Sequence, residues 1–321
     1  MSSIKNVTII GSNSVLTKPT ITALLSAGFN VSILSRAETT VDPSTFPSSV
    51  TLLSADYSSL ESLTSALQGT DAIVSYVGGA GTNGLASQNK IIDAAVAAGV
   101  KRFLPSEFGA NSENKKAVAL KIFASKLPVQ EHIIKAHNES GLEYDLVIPG
   151  LFFETALIHD FDFVRLVGIS IPTKTADFLD GGNIPISLST YDFIASAVVA
   201  ILQRPASNGF VRVFNIQKTT RELLALVQEF TGREGWTITE SKSEEVLEEA
   251  DVLFDKGPEA FWSALAKQVT VAAGGKGFGN DFESDNEELG LSVLGDAELK
   301  ELIKGTVERA TRKAGSTATQ A

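Results

Sequence analysis

The chain has 321 residues, of which 43% are hydrophobic and 20% are charged, as in ordinary globular proteins. Its formal net charge of −11 argues against a nucleic-acid partner, because phosphate recognition needs clustered lysine and arginine. The sequence contains no cysteine, which excludes disulfides, thiolate nucleophiles and cysteine-ligated metals. Its three histidines have no metal-ligand spacing, so we expect no metal site.

No apolar run approaches the roughly 20 residues needed to span a bilayer. The N-terminal residues also lack the apolar core of a signal peptide. These features predict a cytoplasmic protein with no membrane partner. Its expected partner is a small-molecule substrate.

Short apolar strands alternate with helices through the first 150 residues. Strands are predicted at residues 7–10, 31–34, 50–53, 72–76, 102–104 and 144–148, and helices at 14–27, 58–68 and 87–98. Buried strands joined by crossover helices form a parallel sheet covered on both faces. We therefore predict an α/β fold with a doubly wound, Rossmann-type parallel sheet.

The pattern becomes less regular after Pro149-Gly150. Short strands are predicted at residues 184–188 and 210–214, and helices at 192–203 and 220–231. These elements indicate a smaller C-terminal lobe, residues 151–321, over the carboxyl edge of the sheet. Residues 184–188 are the candidate for a strand that returns to the main sheet.

A glycine turn connects the first strand to the first helix. It reads Gly11-Ser12-Asn13-Ser14-Val15-Leu16-Thr17, and Ser14 and Thr17 stand where a G-x-x-G-x-x-G pattern has its later glycines. Such a turn directs backbone N–H groups and the positive end of a helix dipole at a phosphate. We expect residues 11–16 to bind a dinucleotide, although an ordinary turn is the alternative.

The second predicted strand ends in Ser35-Arg36. An NAD site favours an acidic residue here, whereas arginine suits the 2′-phosphate of NADP. We therefore expect NADPH as the cofactor, with a solvent-facing arginine as the alternative. Val77, Gly78 and Gly79 follow the fourth strand, where glycines allow a ligand to approach the backbone.

The segment from Val100 to Gly109 reads V-K-R-F-L-P-S-E-F-G. It resembles the V-K-R-F-x-P-S-E-F-G motif of the isoflavone reductase-like and NmrA-like families. The resemblance continues in Phe123-Ala-Ser-Lys126, in residues 180–187 and in residues 285–290, and thus covers nearly the whole chain. It implies an NADP-binding domain in residues 1–150 and a substrate-binding lobe in residues 151–321. Ser106, Glu107 and Phe108 join the expected cofactor-binding residues.

The same resemblance implies a reductase in which Lys126 handles a proton while NADPH reduces a small aromatic or conjugated substrate. The spacing from Lys126 to Gly141 is about one helical turn longer than in plant reductases, so Gln130 is the alternative for the lysine position. Pro128 favours a helix start. A lysine beside that start meets the positive end of the helix dipole and can exchange a proton near neutral pH. An ordinary surface lysine is the other interpretation.

Phe152 and Phe153 follow the sixth strand, at the sheet edge where ligands bind. They are candidates for the wall of a substrate pocket, and burial between the two lobes is the alternative. Two functions stay open at this point. One is an NADPH-dependent reductase, and the other is an NmrA-like regulator that binds NADP(H) as a signal without catalysis.

Overall fold

The computed structural model describes residues 4–78, 84–158 and 166–318. In the first half of the chain, strands and helices alternate in the predicted way. The elements are β1 (Asn6–Ile10), α1 (Thr17–Ser26), β2 (Asn30–Arg36), β3 (Thr51–Ala55), α2 (Leu60–Ala66), β4 (Ala72–Ser75), α3 (Gly84–Ala98), β5 (Arg102–Leu104), α4 (Lys115–Val118), α5 (Lys126–Ser140) and β6 (Glu143–Ile148).

The second half contains shorter strands and longer separations between them. Its elements are β7 (Leu151–Phe152), α6 (Phe153–Ile158), β8 (Ile169–Ser170), β9 (Thr175–Leu179), β10 (Pro185–Ser189), α7 (Tyr191–Gln203), β11 (Gly209–Arg212), β12 (Ile216–Thr219), α8 (Thr220–Thr231), β13 (Thr237–Ser241), α9 (Ser243–Asp255), α10 (Phe261–Gly274) and α11 (Asp296–Ala318). None of the described helices is both long enough and apolar enough to cross a membrane.

The described residues form a seven-stranded sheet in the order β11-β6-β5-β4-β1-β2-β3. Every strand pair in it is parallel. Helices α1 and α7 cover one face, and α2, α3 and α5 cover the other. The predicted doubly wound, Rossmann-type sheet is confirmed. Its strand order reverses between β1 and β4, which is where such sheets bind ligands.

The strand that returns to the main sheet is β11, which pairs with β6. The suggestion that residues 184–188 return is wrong, since β10 pairs with β7 and β12 in a separate three-stranded sheet. Length and hydrophobicity predicted both strands but did not distinguish their partners. A third sheet joins β13, β9 and β8.

Gly150 makes the turn that carries the chain from β6 to this second sheet. Its φ of +68° is left-handed, and a Cβ there would lie 2.1 Å from the carbonyl oxygen of Ser187. A side chain is therefore excluded by both backbone conformation and space. The change of pattern seen in the sequence at Pro149-Gly150 coincides with this change of sheet.

The hydrophobic cores do not divide at residue 150. Ala110, Ala117 and Phe123 pack into the core of the C-terminal elements, together with residues such as Leu223 and Val271. Conversely, α7 and β11 complete the main sheet and one of its faces. The functional assignment of residues 1–150 and 151–321 stays a prediction.

A fully buried ion pair connects the centre of the sheet to α7. Arg102 Nε donates to Asp145 Oδ2 at 2.8 Å, and neither side chain is exposed. Arg102 Nη1 donates to the carbonyl oxygens of Ile201 and Arg204 at 3.0 Å and 2.7 Å. The other oxygen of Asp145 accepts the backbone N–H and the hydroxyl of Ser207 at 2.9 Å and 2.8 Å. The pair therefore anchors the end of α7 and the loop that leads to β11.

We predict that Arg102→Met lowers the free energy of unfolding by about 3–5 kcal/mol, because Asp145 is left buried without its counter-charge. Lys101→Met is the matched control, since Lys101 forms an exposed ion pair with Asp71 and its loss costs about 1 kcal/mol or less. Urea denaturation of both variants measures the difference. Equal destabilisation of the two would contradict the role given to the buried pair.

Candidate active site

Gly11 begins the loop between β1 and α1. Its φ is +106°, and a Cβ would lie 2.7 Å from the carbonyl oxygen of Tyr76, which follows β4. The Thr17 hydroxyl donates to the carbonyl oxygen of Gly11 at 2.6 Å, and Ser14 N–H donates to the same oxygen at 3.1 Å. The two residues that replace glycines thus close the turn through hydrogen bonds.

A first cavity of about 410 Å³ opens at the carboxyl ends of β1, β2 and β4. The helix that starts beside it, α1, has no side-chain hydrogen bond at its N-cap, Leu16. The cavity is lined by Ile10, Gly11, Ser12, Asn13, Ser14, Leu34, Ser35, Arg36, Thr39, Tyr57, Tyr76, Val77 and Gly78. It lies at the reversal of strand order, where open α/β sheets bind ligands.

Arg36 enters this cavity from the end of β2, beside an aromatic ring. Its guanidinium carbon lies 5.7 Å from the centre of the Tyr57 ring, within the range of a cation–π contact. Tyr57 is itself held by a 3.0 Å hydrogen bond from its hydroxyl to the carbonyl oxygen of Leu34. Burial raises the pKa of Tyr57, so its hydroxyl stays neutral. The pair presents one positive charge and one flat ring to the cavity.

A second cavity of about 310 Å³ shares Ser14, Tyr76, Val77 and Gly78 with the first. The two spaces are therefore adjoining parts of one cleft. The remaining lining residues are Leu16, Ser106, Glu107, Phe108, Gly109, Ala110, Ile122, Phe123, Lys126, Leu151, Phe152 and Val269. Most of these side chains are apolar, so the second cavity suits an apolar ligand with few polar groups.

Lys126 is the first residue of α5, and it lines this second cavity. Its Nζ donates to the carbonyl oxygen of Glu107 and lies 3.3 Å from Glu107 Oε2. The same nitrogen lies 5.2 Å from the centre of the Phe123 ring. Only 8% of the residue is exposed, so Lys126 is not an ordinary surface lysine.

Gln130 lies one helical turn after Lys126 and does not line the cavity. Its Nε2 donates to Glu107 Oε1 at 3.1 Å, while Ser112 Oγ donates to Glu107 Oε2 at 2.5 Å. Of the two candidates for the family lysine position, Lys126 therefore lines the second cavity. Gln130 instead holds the carboxylate of Glu107, which is the partner of Lys126. Glu107, expected to contact the cofactor, lines the second cavity, and its two carboxylate oxygens accept hydrogen bonds from Gln130 and Ser112.

The remaining predicted site residues fall in different places. Phe152 lines the second cavity, whereas Phe153 is fully buried in the core and is not part of its wall. The assignment of Phe153 to a substrate pocket is thus corrected: Phe152 ends β7 and Phe153 begins α6, and the two successive side chains point in different directions. Val15 is 46% exposed and lines neither cavity. Gly79 lies outside the described residues.

Several lining residues were not predicted from the sequence. Tyr57 follows the end of β3, and the rule that ligands bind at carboxyl ends of strands would have found it. Tyr76 was predicted as the last residue of a strand, and its position beside Gly78 was the available signal. Val269 is contributed by α10, far along the chain, and no local pattern indicates it. No cluster of three or more metal-ligating side chains occurs within the described residues.

The sequence matches the model of the NmrA-like family over residues 3–246. The chain belongs to the NmrA-like family. The resemblance inferred from the V-K-R-F motif is therefore confirmed. Among its relatives is the protein named oxidoreductase aprR from Aspergillus flavus, 30% identical over 285 residues, which are 86% of this chain and 91% of that protein. Another is oxidoreductase poxI from Penicillium oxalicum, 30% identical over 241 residues, or 74% of each chain.

Solved structures share the fold of this NmrA-like protein. The structure of AtPrR2 with NADP+ and (+)pinoresinol superposes with a TM-score of 0.71 at 22% identity, covering 95% of this chain and 100% of that chain. Isoflavone reductase superposes with a TM-score of 0.68 at 20% identity, covering 93% and 95% of the two chains. These similarities agree with the parallel sheet and the additional small sheets described above.

We predict that Gly11→Ala destabilises this NmrA-like protein by about 2–3 kcal/mol, because positive-φ strain adds to the overlap with the Tyr76 carbonyl. Gly99→Ala is the control, since Gly99 has a φ of +74° but nothing within 4 Å of the added carbon. Strain alone should cost the control about 1 kcal/mol. Thermal and urea unfolding of both variants measure the difference, and a Gly11→Ala cost no larger than that of the control would contradict the close contact.

Proposed function

We propose that this NmrA-like protein is an NADPH-dependent oxidoreductase that reduces a small aromatic or conjugated molecule. The observation that carries the proposal is the placement of the buried Lys126 in the wall of a cavity that adjoins the first cavity at the reversal of strand order. Two relatives that are named oxidoreductases, poxI and aprR, support this proposal. So does the presence of NADP+ in the structure of a protein with the same fold.

The first cavity is the proposed cofactor site. The loop of residues 11–16 offers backbone N–H groups and the N-terminus of α1 to the pyrophosphate. Ser35 and Arg36 are the proposed contacts of the 2′-phosphate, and Tyr57 offers its ring face to the adenine. Val77 and Gly78 are assigned to the nicotinamide half, because both residues line the first cavity and the second.

The second cavity is the proposed substrate site. Phe108, Phe123 and Phe152 contribute ring surfaces to its wall, and such surfaces favour flat, apolar ligands through edge and face contacts. Tyr76 packs edge-on against Phe108 with ring centres 4.8 Å apart, which keeps this side of the wall rigid. These contacts support an aromatic or conjugated substrate over a sugar or an amino acid.

Lys126 is the proposed proton-handling residue. When bound, NADPH supplies a hydride, that is, a hydrogen with two electrons, and is oxidised to NADP+. The reduced substrate then carries an additional negative charge that one proton neutralises. Lys126 holds a proton on Nζ at the cavity wall and can transfer it to that site, as positioned general acids do.

The cofactor assignment predicts a preference for NADPH over NADH of at least about 10-fold, because Arg36 forms a charge-assisted contact with the 2′-phosphate. Arg36→Ala should remove most of this preference while NADH affinity changes little. The measurement is fluorescence titration of both cofactors. Arg312→Ala, on the exposed surface of α11, is the control for loss of a positive charge. Equal affinities of the unmodified protein for the two cofactors would refute the assignment.

The catalytic assignment predicts that Lys126→Met lowers turnover by about 10²- to 10⁴-fold, the usual contribution of positioned acid–base catalysis. NADPH affinity should barely change, because the proposed phosphate contacts lie in the other cavity. Turnover is measured as NADPH oxidation with a panel of conjugated aromatic ketones, enones and benzylic ethers. Lys121→Met is the matched control, since Lys121 lies on the same segment but pairs with Asp251 on the surface.

Unchanged turnover in Lys126→Met would refute the role of the lysine. Tight NADPH binding by the unmodified protein without oxidation across the whole panel would favour the regulator that senses NADP(H). The paired titration and turnover assays therefore separate the enzyme from the sensor.

A further inference from the structure

Glu107 is a buried carboxylate with three side chains around it. The residue is only 2% exposed, although it lies at the edge of a cavity. One oxygen accepts from Gln130 at 3.1 Å, and the other accepts from Ser112 at 2.5 Å and lies 3.3 Å from the Lys126 nitrogen. This set of partners fixes the carboxylate in position and leaves it little freedom to turn towards a ligand.

The ammonium of Lys126 depends on this carboxylate for its charge balance. Among the described residues that line the second cavity, the charged side chains are Lys126 and Glu107. Tyr76 is the other titratable residue in this lining. Burial raises the pKa of Tyr76, so its hydroxyl is neutral. The neighbouring Gln268 of α10 is also neutral and accepts from the backbone N–H of Ile122 at 3.0 Å. A buried ammonium with no anionic partner would be costly.

The backbone adds to this arrangement. Lys126 and Gln130 lie four residues apart on α5, so both side chains extend from the same helix face towards one carboxylate. The carbonyl oxygen of Glu107 accepts a hydrogen bond from Lys126 in addition to the ion pair, and the Phe123 ring lies on another side of the nitrogen. The ammonium is thus fixed relative to the loop that follows β5, and with it relative to the cavity.

We propose that Glu107 is a positioning residue that keeps the Lys126 ammonium charged and directed at the second cavity, with Gln130 and Ser112 orienting its carboxylate. The catalytic consequence rests on the proposed function, whereas the electrostatic pairing does not. Glu107 therefore acts through Lys126 rather than by contact with cofactor or substrate. The motif glutamate and the motif lysine form one unit, although 18 residues separate them in the sequence.

The test measures the protonation of Lys126 directly and needs no substrate. Short pulses of acetic anhydride label neutral amines, and peptide mass spectrometry reports the labelled fraction of Lys126 between about pH 7 and about pH 11, the range around an ordinary lysine. In Glu107→Gln, the midpoint of Lys126 labelling should move at least about one pH unit lower, because the anion that favours the ammonium is gone. Glu107→Asp keeps the charge and should retain most of the original midpoint.

Glu113→Gln is the matched control. Glu113 belongs to the same segment but pairs with Arg212 at 2.9 Å on the surface, so its loss should leave Lys126 labelling unchanged. An unchanged midpoint in folded Glu107→Gln would overturn the proposal. If Glu107→Gln does not fold, the folding of the double variant Glu107→Gln/Lys126→Met tests the pairing, because the double variant removes both charges. Recovery of folding supports the pairing, and failure to recover contradicts it.

A kinetic measurement separates positioning from simple support of the fold. Once a substrate from the panel is found, Glu107→Gln should lower kcat and shift its pH profile in the same direction as the labelling midpoint, with little change in NADPH affinity. A parallel loss of NADPH binding and thermal stability, with an unshifted pH profile, would overturn the positioning role. If no substrate is found, the proposed function fails while the labelling experiment still decides the pairing.

Discussion

A single guanidinium, that of Arg102, joins parts of the chain that are distant in sequence. It forms an ion pair with Asp145 on the neighbouring strand and donates hydrogen bonds to two carbonyl oxygens at the end of α7. A cation at a helix C-terminus is also favoured by the helix dipole. Since α7 covers one face of the sheet and leads into β11, this buried contact determines how the second half of the chain returns to the first. The cleft depends on that sheet, because strand ends form its floor.

The V-K-R-F-L-P-S-E-F-G segment serves two purposes at opposite ends of β5. Arg102 stands at the start of the strand and stabilises the fold. Glu107 follows the strand at the carboxyl edge and pairs with Lys126 in the cleft. The segment that carries the family resemblance therefore contributes both to the buried core of the sheet and to the lining of the cleft. The family resemblance does not distinguish these two contributions, whereas the burial and the partners of Arg102 and Glu107 do.

Local patterns in the sequence predicted the alternating strands and helices, and with them the parallel sheet, because periodicity and glycine positions are local properties. Gly11 and Arg36 were identifiable for the same reason, since each occupies a fixed position in a βα unit. The partner of β11 was not identifiable, because strand pairing depends on the whole topology. The partners of Glu107 also required the structure, since Gln130 reaches it only when α5 packs on the sheet and the Ser112 contact depends on the path of the loop after β5.

The pairing of β11 with β6 has a consequence for how the chain can be divided. Without β11, β6 would become an edge strand with a row of unpaired backbone groups, and its residues 144–148 are apolar or buried. Such an edge is a template for association with other chains. A fragment ending near residue 150 would contain every strand that borders the first cavity and still be prone to aggregate through the uncovered edge of β6. With its four residues, β11 is shorter than the six-residue β6, so it replaces a long outer edge by a short one on this side of the sheet.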